Sequence, residues 1–135
     1  MHPKFKLGDD YITDFVIELG DQQYVLVEIE AATRPLYTKT GNPSRELAHA
    51  VQQVEDWLNL IETAAPYIPT KLPGISDPNC WVIIGRRLHD QRLEAKWSRK
   101  QRSHAKAGIM LMTYDDVLDK AKRQLANLRR IEHGI

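Results

Sequence analysis

Three stretches near the start of the chain have the apolar patterns of strands. Residues 4–8 have the sequence Lys-Phe-Lys-Leu-Gly, residues 10–19 alternate between apolar and polar side chains, and residues 22–31 contain the run Tyr-Val-Leu-Val. Gly20 and Asp21 separate the last two stretches, and this pair of residues is typical of a hairpin turn. The pattern therefore predicts three strands, of which the second and third pair in antiparallel fashion.

The rest of the chain predicts helices that alternate with strands. In chain order these are a helix over 44–63, a strand over 80–85, a helix over 88–103, a strand over 108–112 and a helix over 113–130. Ser44 is the expected N-cap of the first helix, and Thr113 with Asp116 resembles a capping box. The strand over 80–85 is continuously apolar, so we expect it to be buried on both faces. The order βββαβαβα indicates an α/β fold with one mixed sheet flanked by helices.

Size and composition limit the class of protein. The chain has 135 residues, 42% of them hydrophobic, which suits a single domain over residues 1–135 with one core. No apolar stretch approaches the roughly 20 residues that span a bilayer, and the N-terminus lacks the apolar region of a signal peptide. Cys80 is the only cysteine, which excludes an internal disulfide. We therefore expect a cytoplasmic protein that does not contact a membrane.

Charge is distributed unevenly although the net charge is only +1. Residues 1–85 carry six Lys and Arg against twelve Asp and Glu, whereas residues 86–106 carry eight Lys and Arg against two Asp and Glu. A metal-dependent enzyme that acts on a polyanion needs an acidic part beside a basic segment. An ordinary solvated surface can show the same pattern, so charge alone leaves both interpretations open.

Three carboxylates are candidates for a metal site. Glu28 and Glu30 are two positions apart on the third predicted strand, so they point to the same face. A hairpin that turns near 20–21 places Asp14 roughly opposite 27–28. Three carboxylates in a small volume are stable only with a hard cation such as Mg²⁺ or Mn²⁺. Alternatively, Glu28 and Glu30 lie on a solvent face and pair with nearby Lys or Arg.

The first predicted helix contributes a further candidate. Gln53 and Trp57 form the pattern Q-x-x-x-W at the edge of its apolar face. An amide beside an acidic cluster can orient a water molecule or contact a phosphate, because it both donates and accepts hydrogen bonds. The alternative interpretation is a glutamine at the helix boundary and a packed tryptophan.

Two sets of segments resemble known nucleases. The segment "DFVIELGDQQYVLVEIE" followed by "SRELAHAVQQVEDW" resembles the PD-(D/E)XK nuclease superfamily. The run "LVEIEAATRPLYTKTGNPSRELAHAVQQVEDWLNLI", then "WVIIGRR" and "IMLMTYDDVL", is similar to the nuclease domain of Shedu antiphage-defence proteins. The resemblance implies a restriction-endonuclease-like core and a metal-dependent DNA endonuclease that acts as a homo-oligomer. It also implies that residues 1–135 are the C-terminal catalytic part of a longer protein.

The resemblance assigns roles to the three candidate carboxylates, to the Ile29 carbonyl and to Gln53. Asp14 and Glu28 match the metal-binding positions of the superfamily and would bind Mg²⁺ or Mn²⁺ with help from the Ile29 carbonyl. Gln53 matches the Gln of the Q-x-x-x-Y motif. Glu30 stands where the superfamily usually has a Lys, so it could act as a general base or help to bind a second cation.

Basic residues that follow the acidic cluster along the chain are candidates for DNA contact. Arg86 follows the predicted strand over 80–85, and four more are in the basic helix: Arg92, Lys96, Arg99 and Lys100. These side chains would hold the DNA backbone through salt-sensitive contacts. Arg86 could equally pair with a structural carboxylate.

Two departures from the superfamily pattern lead to an alternative function. One is Glu30 in place of Lys, and the other is the usual first helix of the core, which is absent or trimmed because the first strand begins almost at Met1. These departures suggest an inactive nuclease-like module that binds nucleic acid or forms oligomers.

Overall fold

The computed structural model describes residues 2–3, 14–19, 23–64 and 78–132. In chain order the elements are β1 (His2–Pro3), β2 (Phe15–Glu18), β3 (Tyr24–Ile29), α1 (Arg45–Ala64), β4 (Asn79–Ile83), α2 (Gln91–Ala105), β5 (Ile109–Met112) and α3 (Tyr114–Glu132). The predicted α/β class and the order βββαβαβα are confirmed, and the fold is compatible with a restriction-endonuclease-like core. The expected strand over 4–8, residues 10–13 of the second strand and the turn at 20–21 lie outside the described residues.

The described strands form one mixed sheet in the order β1-β2-β3-β4-β5. Strands β2 and β3 pair in antiparallel fashion, as the hairpin pattern predicts, and β1 pairs with β2 in the same fashion. Strands β3, β4 and β5 are parallel, and α1 and α2 form the connections between them. Parallel neighbours need such crossovers, which is why the second half of the chain alternates between strand and helix.

The core lies between one face of the sheet and the helices α1 and α2. Leu26 of β3 is fully buried beside its register partners, Val16 of β2 and Cys80 of β4. Trp57 of α1 and Trp97 of α2 belong to the same apolar cluster. Both helices therefore cover the sheet face that carries Leu26.

The other face of the sheet is less completely covered. Val25 and Val27 are buried there, whereas Trp81 and Ile83 are only half-buried. The expectation that the strand over 80–85 is buried on both faces is therefore wrong for this face. The reason is that α3 covers it loosely: the Lys120 ammonium lies 5.4 Å from the centre of the Trp81 ring, and no described side chain of α3 is buried.

Polar caps at two helix starts confirm the predicted signals. The Ser44 hydroxyl accepts a hydrogen bond from the Leu47 N–H at 3.1 Å, which caps α1. At the start of α3, the Asp116 N–H donates to the Thr113 hydroxyl at 3.1 Å and the Thr113 N–H donates to the Asp116 carboxylate at 2.9 Å. This reciprocal pair is the capping box that the sequence predicts.

The helix α3 has an apolar stripe that the described residues leave open. Leu118, Leu125, Leu128 and Ile131 recur at helical spacing, and each of these side chains is exposed. In the described part of the chain, neither α3 nor any other helix has the length and apolar character needed to cross a membrane.

Candidate functional site

The structure brings Asp14 and Glu28 together on adjacent strands. Phe15 pairs with Val27 in the antiparallel register, so the next pair outward is Asp14 with Glu28. Val16 and Leu26 share the core face, and strand alternation puts Glu28 on that face as well, whereas Asp14 lies in a bend just before β2. The predicted position of Asp14 opposite 27–28 is confirmed.

Burial and a main-chain hydrogen bond define the surroundings of these two carboxylates. Glu28 is 7% exposed, and it is the one charged side chain among the buried residues that the structure describes. The Asp14 carboxylate accepts a hydrogen bond at 2.8 Å from the Ile29 N–H, the peptide group that links Glu28 to Ile29. This bond holds the Asp14 carboxylate against β3 beside Glu28.

Glu30 directly follows the carboxyl end of β3. Its N–H donates to the Ile83 carbonyl at 2.8 Å, which extends the β3–β4 ladder by one residue beyond Ile29. By alternation its side chain follows Glu28 on the core face, and it is half-buried. Its carbonyl accepts a hydrogen bond from the Tyr114 hydroxyl at 2.6 Å. The main chain at Glu30 is therefore held from β4 and from the start of α3.

The helix α1 covers this face and carries Gln53. The Gln53 side chain is half-buried, at the boundary between the apolar face of α1 and solvent. Trp57, one turn further along, is fully buried, and its indole N–H finds no hydrogen-bond partner among the described residues. Trp57 is therefore a core residue, and Gln53 is the polar member of the motif.

The donor chemistry of the acidic pair suits a hard divalent cation. Asp14 and Glu28 offer carboxylate oxygens, the ligands that Mg²⁺ and Mn²⁺ prefer. Two protein carboxylates are a common number for Mg²⁺, which usually keeps several water ligands. Within the described residues, no group of three or more His, Cys, Asp or Glu side chains is arranged to hold a metal ion. The expected convergence of Asp14, Glu28 and Glu30 into one cluster is therefore not observed, and metal binding by these residues and the Ile29 carbonyl stays a prediction.

Arg86 pairs with a carboxylate of α3. Its guanidinium donates two hydrogen bonds to Asp115, at 2.9 and 3.0 Å, and the Arg87 N–H donates a third at 2.7 Å. The Arg86 hydrogen bonds, with a smaller contribution from Arg87, hold the pKa of the Asp115 carboxyl well below its usual range. Arg86 thus pairs with a structural carboxylate, which was the alternative to a DNA contact, although its side chain stays 67% exposed.

The sequence did not lead us to the carboxylates that pair with Arg86 and Arg87. Asp115 binds Arg86, and Asp119 forms an ion pair with Arg87. A signal was present, because Asp115 and Asp119 are four residues apart and therefore lie on one face of α3. Tyr114, whose hydroxyl binds the Glu30 carbonyl, was missed as well.

The basic helix α2 presents its cations to solvent. The side chains of Arg92, Lys96 and Arg99 are exposed, and that of Lys100 is half-buried. The Lys96 ammonium donates a hydrogen bond at 2.9 Å to the Gly41 carbonyl in the loop between β3 and α1. The predicted DNA-binding cations are thus accessible.

The fold and the site define an α/β domain with a mixed sheet and two neighbouring carboxylates, Asp14 just before β2 and Glu28 near the end of β3. A family model described as "Shedu protein SduA, C-terminal" matches residues 1–118 of the chain. The chain therefore belongs to the Shedu SduA C-terminal family, in agreement with the resemblance found in its sequence. No curated protein matches the sequence.

Proposed function

We propose that this chain is a Mg²⁺-dependent DNA endonuclease domain that hydrolyses phosphodiester bonds in antiphage defence. The observation that carries the proposal is the hydrogen bond at 2.8 Å from the Ile29 N–H to the Asp14 carboxylate, which holds Asp14 against β3 next to Glu28. Membership of the Shedu family supports the nuclease and defence roles. We also propose a homo-oligomer in the cytoplasm, with residues 1–135 as the catalytic part of a longer protein.

Each residue of the candidate site has a defined task in this proposal. Asp14, Glu28 and the Ile29 carbonyl would hold the cation, and Gln53 would orient the attacking water. When bound, the cation would lower the pKa of a coordinated water and stabilise negative charge on the phosphate. Glu30 would accept the proton of the attacking water or help to bind a second cation.

The basic surface would hold the substrate. Arg92, Lys96, Arg99 and Lys100 lie along α2 and would contact backbone phosphates, with Arg86 as a further cation. Such contacts carry no sequence information and weaken as salt is added. We therefore expect cleavage without strong sequence preference.

Plasmid cleavage tests the proposed catalytic pair. We expect the full chain to nick or linearise a plasmid in Mg²⁺ or Mn²⁺, and Asp14→Asn and Glu28→Gln to lower the rate at least about 100-fold by removing a metal ligand. Glu62→Gln, which changes an exposed carboxylate of α1, is the matched control and should cleave like the wild type. Undiminished cleavage by both site variants would overturn the assignment.

Thermal unfolding with and without Mg²⁺ provides a readout that does not depend on activity. A cation that binds only the folded state stabilises it by about 2.7 kcal/mol at 100 times its Kd. We expect this shift in the wild type and its loss in Glu28→Gln. Glu30→Gln separates the two roles of Glu30: a general base would leave the shift intact, whereas a ligand would reduce it.

A second candidate function rests on Glu30. An acidic residue at the position of the familiar Lys cannot stabilise negative charge on the phosphate, so the domain could bind nucleic acid or form oligomers without cutting. DNA binding with no cleavage in Mg²⁺ or Mn²⁺, and no metal-dependent thermal shift, would favour this inactive module.

A further inference from the structure

A small cationic cleft lies between the loop Thr38–Asn42, hereafter the 38–42 loop, and the first half of α2. Its volume is about 130 Å³, enough for a phosphate-sized group, and Lys39, Arg92 and Lys96 line it. The hydroxyl-bearing side chains of Thr38 and Thr40 complete its wall. Lys39 and the two threonines belong to none of the functional groups considered above.

Hydrogen bonds within the 38–42 loop give it a defined shape. The Thr38 N–H donates to the Asn42 carbonyl at 2.7 Å, and the Gly41 N–H donates to the Thr38 carbonyl at 3.0 Å. The hydroxyls of Thr38 and Thr40 share a hydrogen bond at 3.0 Å. Because the turn spans 38–41, Lys39 and Thr40 are at its tip. The Lys96 bond to the Gly41 carbonyl joins this loop to α2.

The charge of the cleft favours an anion. Lys39, Arg92 and Lys96 contribute three positive charges, and Asp90 contributes one negative charge. The Asp90 carboxylate is engaged as the N-cap of α2, where Oδ1 accepts hydrogen bonds from the Arg92 and Leu93 N–H groups. Its charge is therefore directed at the helix N-terminus, and the cleft keeps an excess of positive charge.

Topology places the cleft at the same edge of the sheet as the acidic pair. The segment that ends in the 38–42 loop leaves the carboxyl end of β3 directly after Glu30, and α2 follows the segment that leaves the carboxyl end of β4. These two segments meet where the Gly85 N–H donates to the Ala31 carbonyl at 3.4 Å. Ligands of parallel α/β sheets bind at this edge.

We propose that the cleft binds one phosphate of the DNA backbone, next to the stretch of strand that reaches Asp14 and Glu28. The identity of the polymer rests on the proposed nuclease function. The phosphate oxygens accept hydrogen bonds from the ammonium groups of Lys39 and Lys96 and from the guanidinium of Arg92. The cleft therefore sets the position of the strand, and it adds Lys39 to the DNA-binding residues.

The test is the salt dependence of DNA binding by the full chain, measured by fluorescence anisotropy with a labelled duplex in EDTA. Each neutralised phosphate contributes about 0.9 to the slope of log K against log salt. We expect Lys39→Gln and Lys96→Gln each to weaken binding and to lower the slope by up to about 0.9. The double variant should lower it by about 0.9 in total and not by twice that amount, because both side chains bind the same phosphate.

A cation outside the cleft provides the control. Lys106→Gln changes an exposed cation at the opposite end of α2 and should leave the slope unchanged. A double variant whose slope matches that of the wild type, or falls by clearly more than about 0.9, would overturn the shared phosphate site. Because binding is measured without metal, this result is independent of cleavage. Failure of the nuclease proposal would appear as wild-type binding with no metal-dependent cutting.

Discussion

Cys80 illustrates how burial at a single residue changes chemistry. Its thiol is fully buried at the start of β4, and burial raises its pKa to about 12 from the usual 9.0. Because the folded state keeps the thiol protonated, its contribution is complete below pH 9 and is lost as the pH rises towards 12. We expect this group to lower the free energy of unfolding by up to about 1.4 kcal/mol per pH unit in that window.

Urea unfolding of the wild type and of Cys80→Ala across this pH window measures the effect. Other groups titrate there too, so the quantity of interest is the difference between the two proteins. The alanine variant starts less stable because it leaves a cavity, and its stability should fall less steeply with pH. Parallel pH profiles would show that the Cys80 thiol titrates alike in the folded and unfolded chains.

For single residues, spacing along the chain predicted the position of some site residues and not the partners of others. Asp14 and Glu28 could be placed opposite each other because the period of a strand and a short hairpin determine which residues face each other. The pairing of Arg86 with Asp115 spans 29 residues and depends on how α3 returns to the sheet. That packing carries no local signal, so the sequence left both roles of Arg86 open.

Among the elements, the junction after β4 depends on Gly85. Its φ is +66°, and a Cβ built there would lie 2.8 Å from the Arg34 carbonyl oxygen. The positive φ alone costs a non-glycine residue about 1–2 kcal/mol. We expect Gly85→Ala to cost about 1–3 kcal/mol beyond that, because the methyl group pushes apart the segments that follow β3 and β4.

Gly108 provides the matched control for this substitution. Its φ is +81°, but a Cβ there would meet its nearest neighbour, the Asn79 side chain, at an ordinary 3.4 Å. Gly108→Ala should therefore show the conformational cost without the clash. Chemical denaturation of both variants gives the comparison, and equal losses of stability would refute the close approach at Gly85.

For the helices and strands, apolar periodicity and capping residues were sufficient to predict where most of them lie. Ser44 and the Thr113–Asp116 pair begin their helices as predicted, because these hydroxyl and carboxylate groups bind N–H groups that the helix leaves open. The burial of β4 on both faces was not predicted correctly, because a run of apolar residues does not reveal how tightly the second face is covered. Trp81 lies under the Lys120 side chain instead of in a dry core.

For the molecule as a whole, stability should be unevenly distributed. The core joins β2, β3, β4, β5, α1 and α2, whereas α3 has no buried side chain among its described residues. Its capping box and the ion pairs of Asp115 and Asp119 hold only its first turns. The part of α3 beyond these contacts gains little from packing, and an isolated helical segment shorter than about 12–15 residues is marginal in water.

Hydrogen exchange of the dilute full chain tests this gradient. We expect amides over 121–132 to exchange at least about 100-fold faster than those of β3 and β4, because opening α3 exposes little apolar surface. Amides near Asp116 should be intermediate, since the capping box and ion pairs must break first. Asp115→Asn should accelerate exchange in the first turns of α3 and leave β3 unchanged. Protection over 121–132 equal to that of β3 would contradict the gradient and would mean that the exposed stripe of α3 is packed in solution.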